Sequence, residues 1–494
     1  MKQALYLILL TLAPFRCQCQ LYDNKWVAGD TPLSFINFDS ANVIIDSLAN
    51  YNLRFTVTVA NICDENGQLL YITNGVEVYD SNGDTLQNGT GINPCTYTAQ
   101  LVCCGLDIPQ AALFIPQPGN NRYYYLFHFT DDDTINGGPK TLYYSIVDKE
   151  GNNGKGAVAE KNISILQNTL LREGGMTACK HANGRDYWII MGASVINTFY
   201  KFLVTPKGVK GPFTQSIGPG FPLPYDNAYS RFSQDGSKYV TGDYVGPVLV
   251  MDFDRCNGVF SNPLTIYNQG CDSPQTCSAS SSVEISPNNR FVYVADVTNL
   301  NQYDLWASNL QNSVVQLYSD SVDHTHTGEL NMLQLSPDGK IYISAWNGLP
   351  FYNPLHVINT PNAKGDSCNF KYGSQPTYSH NNKLPNMINY RLGPLAGSGC
   401  DTITAINNAQ MVQDDAIRIS PNPATTTCTL KTDAPNQMCS AIVFDAVGRQ
   451  VIPLFYNQHL STFDFNCTSL STGLYFITVK DEQGKVGVLK LVKQ

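Results

Sequence analysis

Basic runs are missing from this chain. Its 494 residues hold 31 Lys plus Arg against 40 Asp plus Glu, a formal net charge of −9 and a pI near 5.2. No window could neutralise successive phosphates, which excludes an electrostatic nucleic-acid binder. Charge of either sign is scarce: 14 % of residues, against a typical level of about 25 %, which argues against a coiled coil, a helical repeat or a disordered tail. Beyond the N-terminus no segment approaches about 18 uninterrupted apolar residues, so no transmembrane helix is expected. There is no CxxC pair for a structural zinc, no GxSxG nucleophile elbow and no HExxH helix. Gly 38, Pro 27, Tyr 28 and Phe 22 are plentiful, the composition of turns and strands.

The first residues carry an address. Lys2 precedes the apolar stretch ALYLILLTLA at 4–13, too short to cross about 30 Å of hydrocarbon at about 1.5 Å per residue. Cys17 and Cys19 supply small residues two apart before Gln20, so residues 1–19 read as a signal peptide cleaved after Cys19. A lipoprotein anchor is disfavoured by Arg16 and Gln18, which stand where that signal needs a small residue. Thirteen cysteines remain, an odd number, and in an exported chain they are expected to form several disulfides and leave at least one thiol over. Cys271 and Cys277 are close enough for a small loop.

A turn signature recurs along the chain: ENGQLLYITNG, PGNNRYYYLFHF, ANGRDYWIIMG, SQDGSKYVTGDY, SPNNRFVYVAD and SPDGKIYISAW. Its turn positions Gly67, Asn120, Gly184, Gly236, Asn289 and Gly339 are 53, 64, 52, 53 and 50 residues apart. Asn and Gly tolerate the positive φ of a tight turn between two strands. Each unit continues with further strand-like runs, and four short antiparallel strands per unit is the content of a propeller blade. About 370 residues between Trp26 and Leu395, divided by a repeat of about 52, give seven blades. A lone blade cannot bury both its faces, so closure of the ring supplies the core.

The repeated SPDGxxxY and SPNxxxxY units resemble the WD-repeat-like, or YVTN-type, seven-bladed propellers. NGQLLYITNGVEVYDSNGDTLQNGTG, with FIPQPGNNRYYYLFHF and KHANGRDYWII, resembles the opening of a group of bacterial exported propellers. The resemblance implies architecture and says little of activity. The expected fold is all-β: a seven-bladed β-propeller over 20–395, a linker at 396–413, and a small β-sandwich at 414–494.

That last segment has alternating strands and turns of its own. Pro421-Asn422-Pro423, the turn DAVGRQV, Gly473-Leu474-Tyr475 and the closing Lys490-Leu491-Val492-Lys493 resemble the type A C-terminal sorting domain of the type IX secretion system of Gram-negative bacteria. The resemblance implies that the secretion machinery is a partner, that Pro421, Asn422, Pro423, Gly473, Leu474, Tyr475, Lys490 and Lys493 carry the sorting signal, and that the protein is secreted or held on the outer cell surface. Such domains are normally cysteine-poor, and Cys428, Cys439 and Cys467 depart from that pattern.

Propellers place ligands over the central channel, where loops of several blades converge. His181, Asp243, Asp296, His324, His326 and Trp346 are the channel-loop candidates for binding. His324 and His326, two apart in DSVDHTHTGEL, would share a strand face near Asp320, Asp323 and Glu329. A zinc or iron site there would need a third ligand from His181, His356 or His380, and ordinary hydrogen-bonded loop histidines are the plainer reading. Asp80, Asn82 and Asp84 imitate the start of a calcium loop, but Thr85 and Gly91 stand where the turn glycine and the bidentate Glu belong, so calcium lacks a complete motif. Asp131 to Asp133 could hold calcium, although an acidic solvated loop is the plainer reading, and GNNGKG lacks the Ser or Thr and the helix of a phosphate loop. Tyr187, Trp188, Trp346, Phe351 and Tyr352 are candidates for a carbohydrate platform, although most aromatics should be blade core. No metal, cofactor or catalytic residue is assigned. The sequence favours a secreted or surface binding protein with a glycan or protein ligand. The alternative is an exported hydrolase or lyase acting on polysaccharide or small esters in the channel.

Overall fold

The structure is a computed structural model. It describes residues 20–29, 32–38, 43–48, 53–131, 138–220, 229–242, 247–266, 280–296, 299–319, 329–346, 354–378, 383–400, 417–432, 438–445, 450–481 and 486–494; for some strand residues, Trp346 and Cys439 among them, the backbone alone is described. The chain divides into two compact units, Met1–Ile403 and Thr404–Gln494. The signal segment 1–19 lies outside the described residues.

In the first unit the described strands make seven antiparallel sheets in chain order. The inner strands are Lys25–Ala28, Ala60–Cys63, Ala112–Pro116, Leu171–Lys180, Ser230–Phe232, Ser280–Ile285 and Glu329–Leu335, each leading its sheet. Successive inner strands adjoin. The first sheet also meets the last, with the rings of Trp26 and Tyr342 6.1 Å apart and Tyr378 N–H donating to Ser34 Oγ at 3.0 Å. Meandering sheets set side by side around one axis are a β-propeller.

The turn signature does what its residues predict. In SQDG, SPNN and SPDG the Ser carbonyl accepts from the fourth residue's N–H, 2.8 Å at Gly236, 2.9 Å at Asn289 and 3.0 Å at Gly339, and all three residues have positive φ. The signature tyrosines Tyr239, Tyr293 and Tyr342 are buried. A second device repeats just past the turn: Lys238–Asp252 at 2.7 Å and Arg290–Asp304 at 2.8 Å both join second to third strand, 14 residues apart.

The repeat is less regular at its start. In the third sheet the positive φ falls on Gly119 instead of the expected Asn120. The first two sheets have three described strands each, not four. After Val78–Asp80 the chain runs through Gly83, Asn88, Gly91 and Asn93, all at positive φ, and such backbone cannot stay extended.

The second unit pairs a three-stranded sheet with a four-stranded one, the latter carrying Met438–Asp445, Gln450–Leu460, Gly473–Asp481 and Val486–Lys493. Leu430, Ala441, Val443, Ile477, Val479 and Leu491 fill the space between them, the small sandwich expected from alternating strands.

Candidate functional site

The channel of the propeller is filled by the chain itself. Residues 383–395, which follow the seventh sheet, are not a strand, and Leu384, Met387 and Tyr390 are buried. Asn386 N–H donates to Val59 O at 2.8 Å, and its Nδ2 donates to Ala112 O at 3.1 Å and Met176 O at 3.4 Å. Its Oδ1 accepts from Gln110 Nε2 at 2.9 Å, and the same Gln110 holds Ser230 through both O and N. Gln334 Nε2 lies 3.4 Å from Met387 O. One short segment thus reaches the inner strands of the third, fourth and seventh sheets directly, that of the fifth through Gln110, and the residue before that of the second, which only the axis allows.

The segment then spreads over the end bearing the signature turns. Tyr390 Oη donates to Phe114 O at 2.6 Å, Lys180 Nζ to Tyr390 O at 2.8 Å, and Asn389 Nδ2 to Gln234 O at 2.6 Å. Arg391 pairs with Asp23 at 2.8 Å, and Arg255 donates to Gly393 O at 2.6 Å. At Gly184, φ +70°, a Cβ would meet the nitrogen of Pro394 at 2.5 Å, so this turn accepts only glycine while the segment lies against it. A disulfide between Cys400 and Cys256, 144 residues apart, fastens the end of the segment to the fifth sheet.

Beside the plug remains a cavity of about 260 Å³, lined in part by Trp26, Phe232, Gln234, Gln334, Asn389 and Arg391. Its buried charges sit on neighbouring inner strands. Arg231 and Glu284 are 3.5 Å apart with side chains 3 % and 2 % exposed. Arg231 also donates to Leu333 O at 3.0 Å, while Glu284 accepts from Ile285 N–H at 2.9 Å and Leu335 N–H at 2.7 Å. Burial pushes the Glu284 carboxyl up to about 7, against the pull of Arg231 and the two N–H groups, and pushes Arg231 down. Burial raises Asp23 as well, and Arg391 offsets part of it. Lys383 at the other end of the plug is pushed down to about 8 by burial. The arrangement can hold a small polar molecule between amides and aromatic faces. Its described carboxylates already have cationic or N–H partners.

The sequence candidates fall elsewhere. His181 lies in the turn of the fourth sheet, its Nδ1 accepting from Asn183 N–H and its Nε2 3.0 Å from Cys256 O. Asp296 is 5 % exposed and holds Asn299 N–H at 2.7 Å. Asp243, His324, His326, His380, Phe351, Tyr352 and the loop cysteines Cys271 and Cys277 lie outside the described residues, as does the Trp346 side chain. His356 is fully buried, and its Nδ1 accepts from Gly373 N–H at 2.9 Å. Tyr187 and Trp188 are core. Asp80 Oδ1 accepts from Asn82 and Asp84 N–H at 2.8 and 3.0 Å, a hairpin turn. Among the described residues no group of three or more His, Cys, Asp or Glu could hold a metal. Two disulfides occur there, Cys256–Cys400 and the adjacent pair Cys103–Cys104.

Sequence reading missed Arg231, Glu284 and Gln334, although a signal existed: each stands five positions before its turn residue, Gly236, Asn289 and Gly339. Polar residues at one place of an inner strand in three successive repeats mark a shared layer.

Several of the residues expected to carry the sorting signal lie against one another. Asn422 Nδ2 donates to Lys490 O at 2.6 Å and its Oδ1 accepts from Val492 N–H at 2.9 Å. Ala424 and Lys493 form a bridge, and Gln494 N–H donates to Ala424 O at 2.9 Å. The Pro-Asn-Pro turn and the closing strand are therefore one structure. Tyr475 Oη donates to Ser471 O at 2.9 Å, closing the turn before Gly473.

Fold and sandwich together define an all-β propeller protein that carries its own delivery module. Residues 418–494 match the family described as the secretion system C-terminal sorting domain. The chain is exported by type IX secretion to the cell surface or beyond, and the sorting domain implies interaction with that machinery. No curated protein matches the chain. Similar solved structures include the periplasmic gluconolactonase of Pseudomonas aeruginosa, at 12 % identity, TM-score 0.42, covering 73 % of this chain and 98 % of that one. A functionally unknown protein from Desulfotomaculum acetoxidans is 12 % identical, with TM-score 0.35 and coverage of 73 % and 99 %. Both are too distant to bear on activity. Among the described residues no helix is long and apolar enough to cross a membrane.

Proposed function

We propose that this is a secreted or cell-surface binding protein whose seven sheets are the blades of a closed, WD-repeat-like ring, residues 20–395, joined by a linker at 396–413 to the sorting domain at 414–494. Its ligand is a glycan or protein of the cell envelope. The observation that carries this reading is the axial cavity, where amides and aromatic faces are available while the described carboxylates are engaged by Arg231, Arg391 and backbone N–H groups. Such a wall suits hydroxyl and amide recognition better than proton transfer. The test is binding of the full secreted chain to a glycan array and to envelope extract, with Gln234→Ala and Asn389→Ala as variants. Each should weaken binding about tenfold, roughly 1.4 kcal/mol. Unchanged binding in both places the ligand elsewhere.

One observation favours a second reading, an exported hydrolase or lyase acting on polysaccharide or small esters: a carboxyl near 7 in a cavity wall is poised as a general acid. Turnover of any polysaccharide or lactone by the full chain, abolished in Glu284→Gln, would replace the binding reading.

A further inference from the structure

We propose that Cys428 and Cys467 of the sorting domain become a disulfide after the chain leaves the cytoplasm. Their sulfurs are 3.8 Å apart, and both residues are buried, 1 % and 0 % exposed. The two cysteines lie on neighbouring strands as a diagonal pair. Thr427–Thr432 pairs antiparallel with Thr462–Asn466, placing Cys428 opposite Phe465, and Cys467 N–H donates to Thr426 O at 2.8 Å. A bond requires the sulfurs, now 3.8 Å apart, to approach to about 2.05 Å, by side-chain rotation together with a small shift of the two strands.

The step is an exchange. The two thiols give up two protons and two electrons to an envelope disulfide of the thiol-oxidase class, which leaves as two thiols while the Cys428–Cys467 bond forms. Timing follows from burial. In the folded domain desolvation and the neighbouring Cys467 push the Cys428 thiol up to about 12, so little thiolate is present for attack. Oxidation therefore precedes closure of the sandwich. The bond would staple the strand that follows the Pro-Asn-Pro turn, since Cys428 Sγ also lies 3.9 Å from Pro421 O.

The full chain, purified from the periplasm of an expression host, is denatured without reductant, alkylated with iodoacetamide, digested and mapped by mass. The expected result is a cross-linked Cys428/Cys467 peptide pair that separates only after reduction, with Cys439 alkylated. Finding both residues alkylated, or either joined to Cys439, overturns the proposal. Refolding with oxidised glutathione supplies a defined oxidant. There the proposal expects loss of two of the domain's three thiols, and retention of all three overturns it. Cys428→Ser should free the Cys467 thiol, and Cys467→Ser the Cys428 thiol, counted in denaturant so that misfolding cannot mask the change.

Discussion

Replacing Asn386 by alanine tests whether the axial segment is a keystone or a loose strap. The main-chain bond to Val59 survives the change, but the side chain loses its contacts to Gln110, Ala112 and Met176 at 2.9, 3.1 and 3.4 Å. Gln110 keeps Ser230 O at 3.0 Å, so its amide is not wholly stranded. With about 1 kcal/mol for each good bond and more for a buried carbonyl left unpaired, the loss is about 2–3 kcal/mol. For a urea slope of about 3 kcal/mol/M this lowers the midpoint by about 0.8 M. The four tryptophans, Trp26, Trp188, Trp306 and Trp346, all precede Cys400, so their fluorescence follows the propeller unit without interference from the sorting domain. A midpoint shift corresponding to less than about 0.5 kcal/mol, the size of an ordinary surface substitution, would refute the axial placement of this residue.

Cys256→Ser opens a loop of 144 residues, and the chain-entropy relation puts the loss at up to about 5 kcal/mol; reductant should lower the wild-type urea midpoint and move the variant little. His128 is fully buried, with Nδ1 2.7 Å from Asn93 Oδ1 and Nε2 2.9 Å from Ser145 Oγ, and burial holds it down at about 3. The unfolded chain binds this proton first, so the contribution is whole above about pH 6.5 and is lost as pH falls towards 3, at roughly 1.4 kcal/mol per pH unit. His128→Gln should flatten the urea midpoint across that window, and an unaltered slope would show that another group controls it. Asn422→Ala unclamps the closing strand at a cost of about 1–3 kcal/mol; immunoblots should show chain accumulating in the periplasm at the expense of the exterior, and normal export would separate the clamp from sorting.

The propeller was legible because its turns are chemically demanding: Gly236, Asn289 and Gly339 must take positive φ, and the spacing of such residues reports the repeat directly. The sorting sandwich was legible for a similar reason, since the Pro-Asn-Pro turn and the closing strand are both local patterns. The interior of the channel was not. Asn386 and Gln110 are 276 residues apart, and neither stands in a repeated motif. KLPNMINYRL offered one clue, four apolar residues and a tyrosine with no turn signature. The layer of Arg231, Glu284 and Gln334 changes residue type at each repeat, so a search for shared letters passes over it. A search for shared position finds it.

Because Cys400 is tied back to Cys256, trimming of the sorting module anywhere beyond that bond would yield a product that keeps its own stopper by a covalent leash. Among the described residues the stopper then occupies the hub of such a wheel for as long as the leash holds. A mature partner would dock onto a rim or into the recess beside the stopper, and reduction would remove the covalent tie while the bonds of Asn386, Tyr390 and Arg391 still hold the stopper.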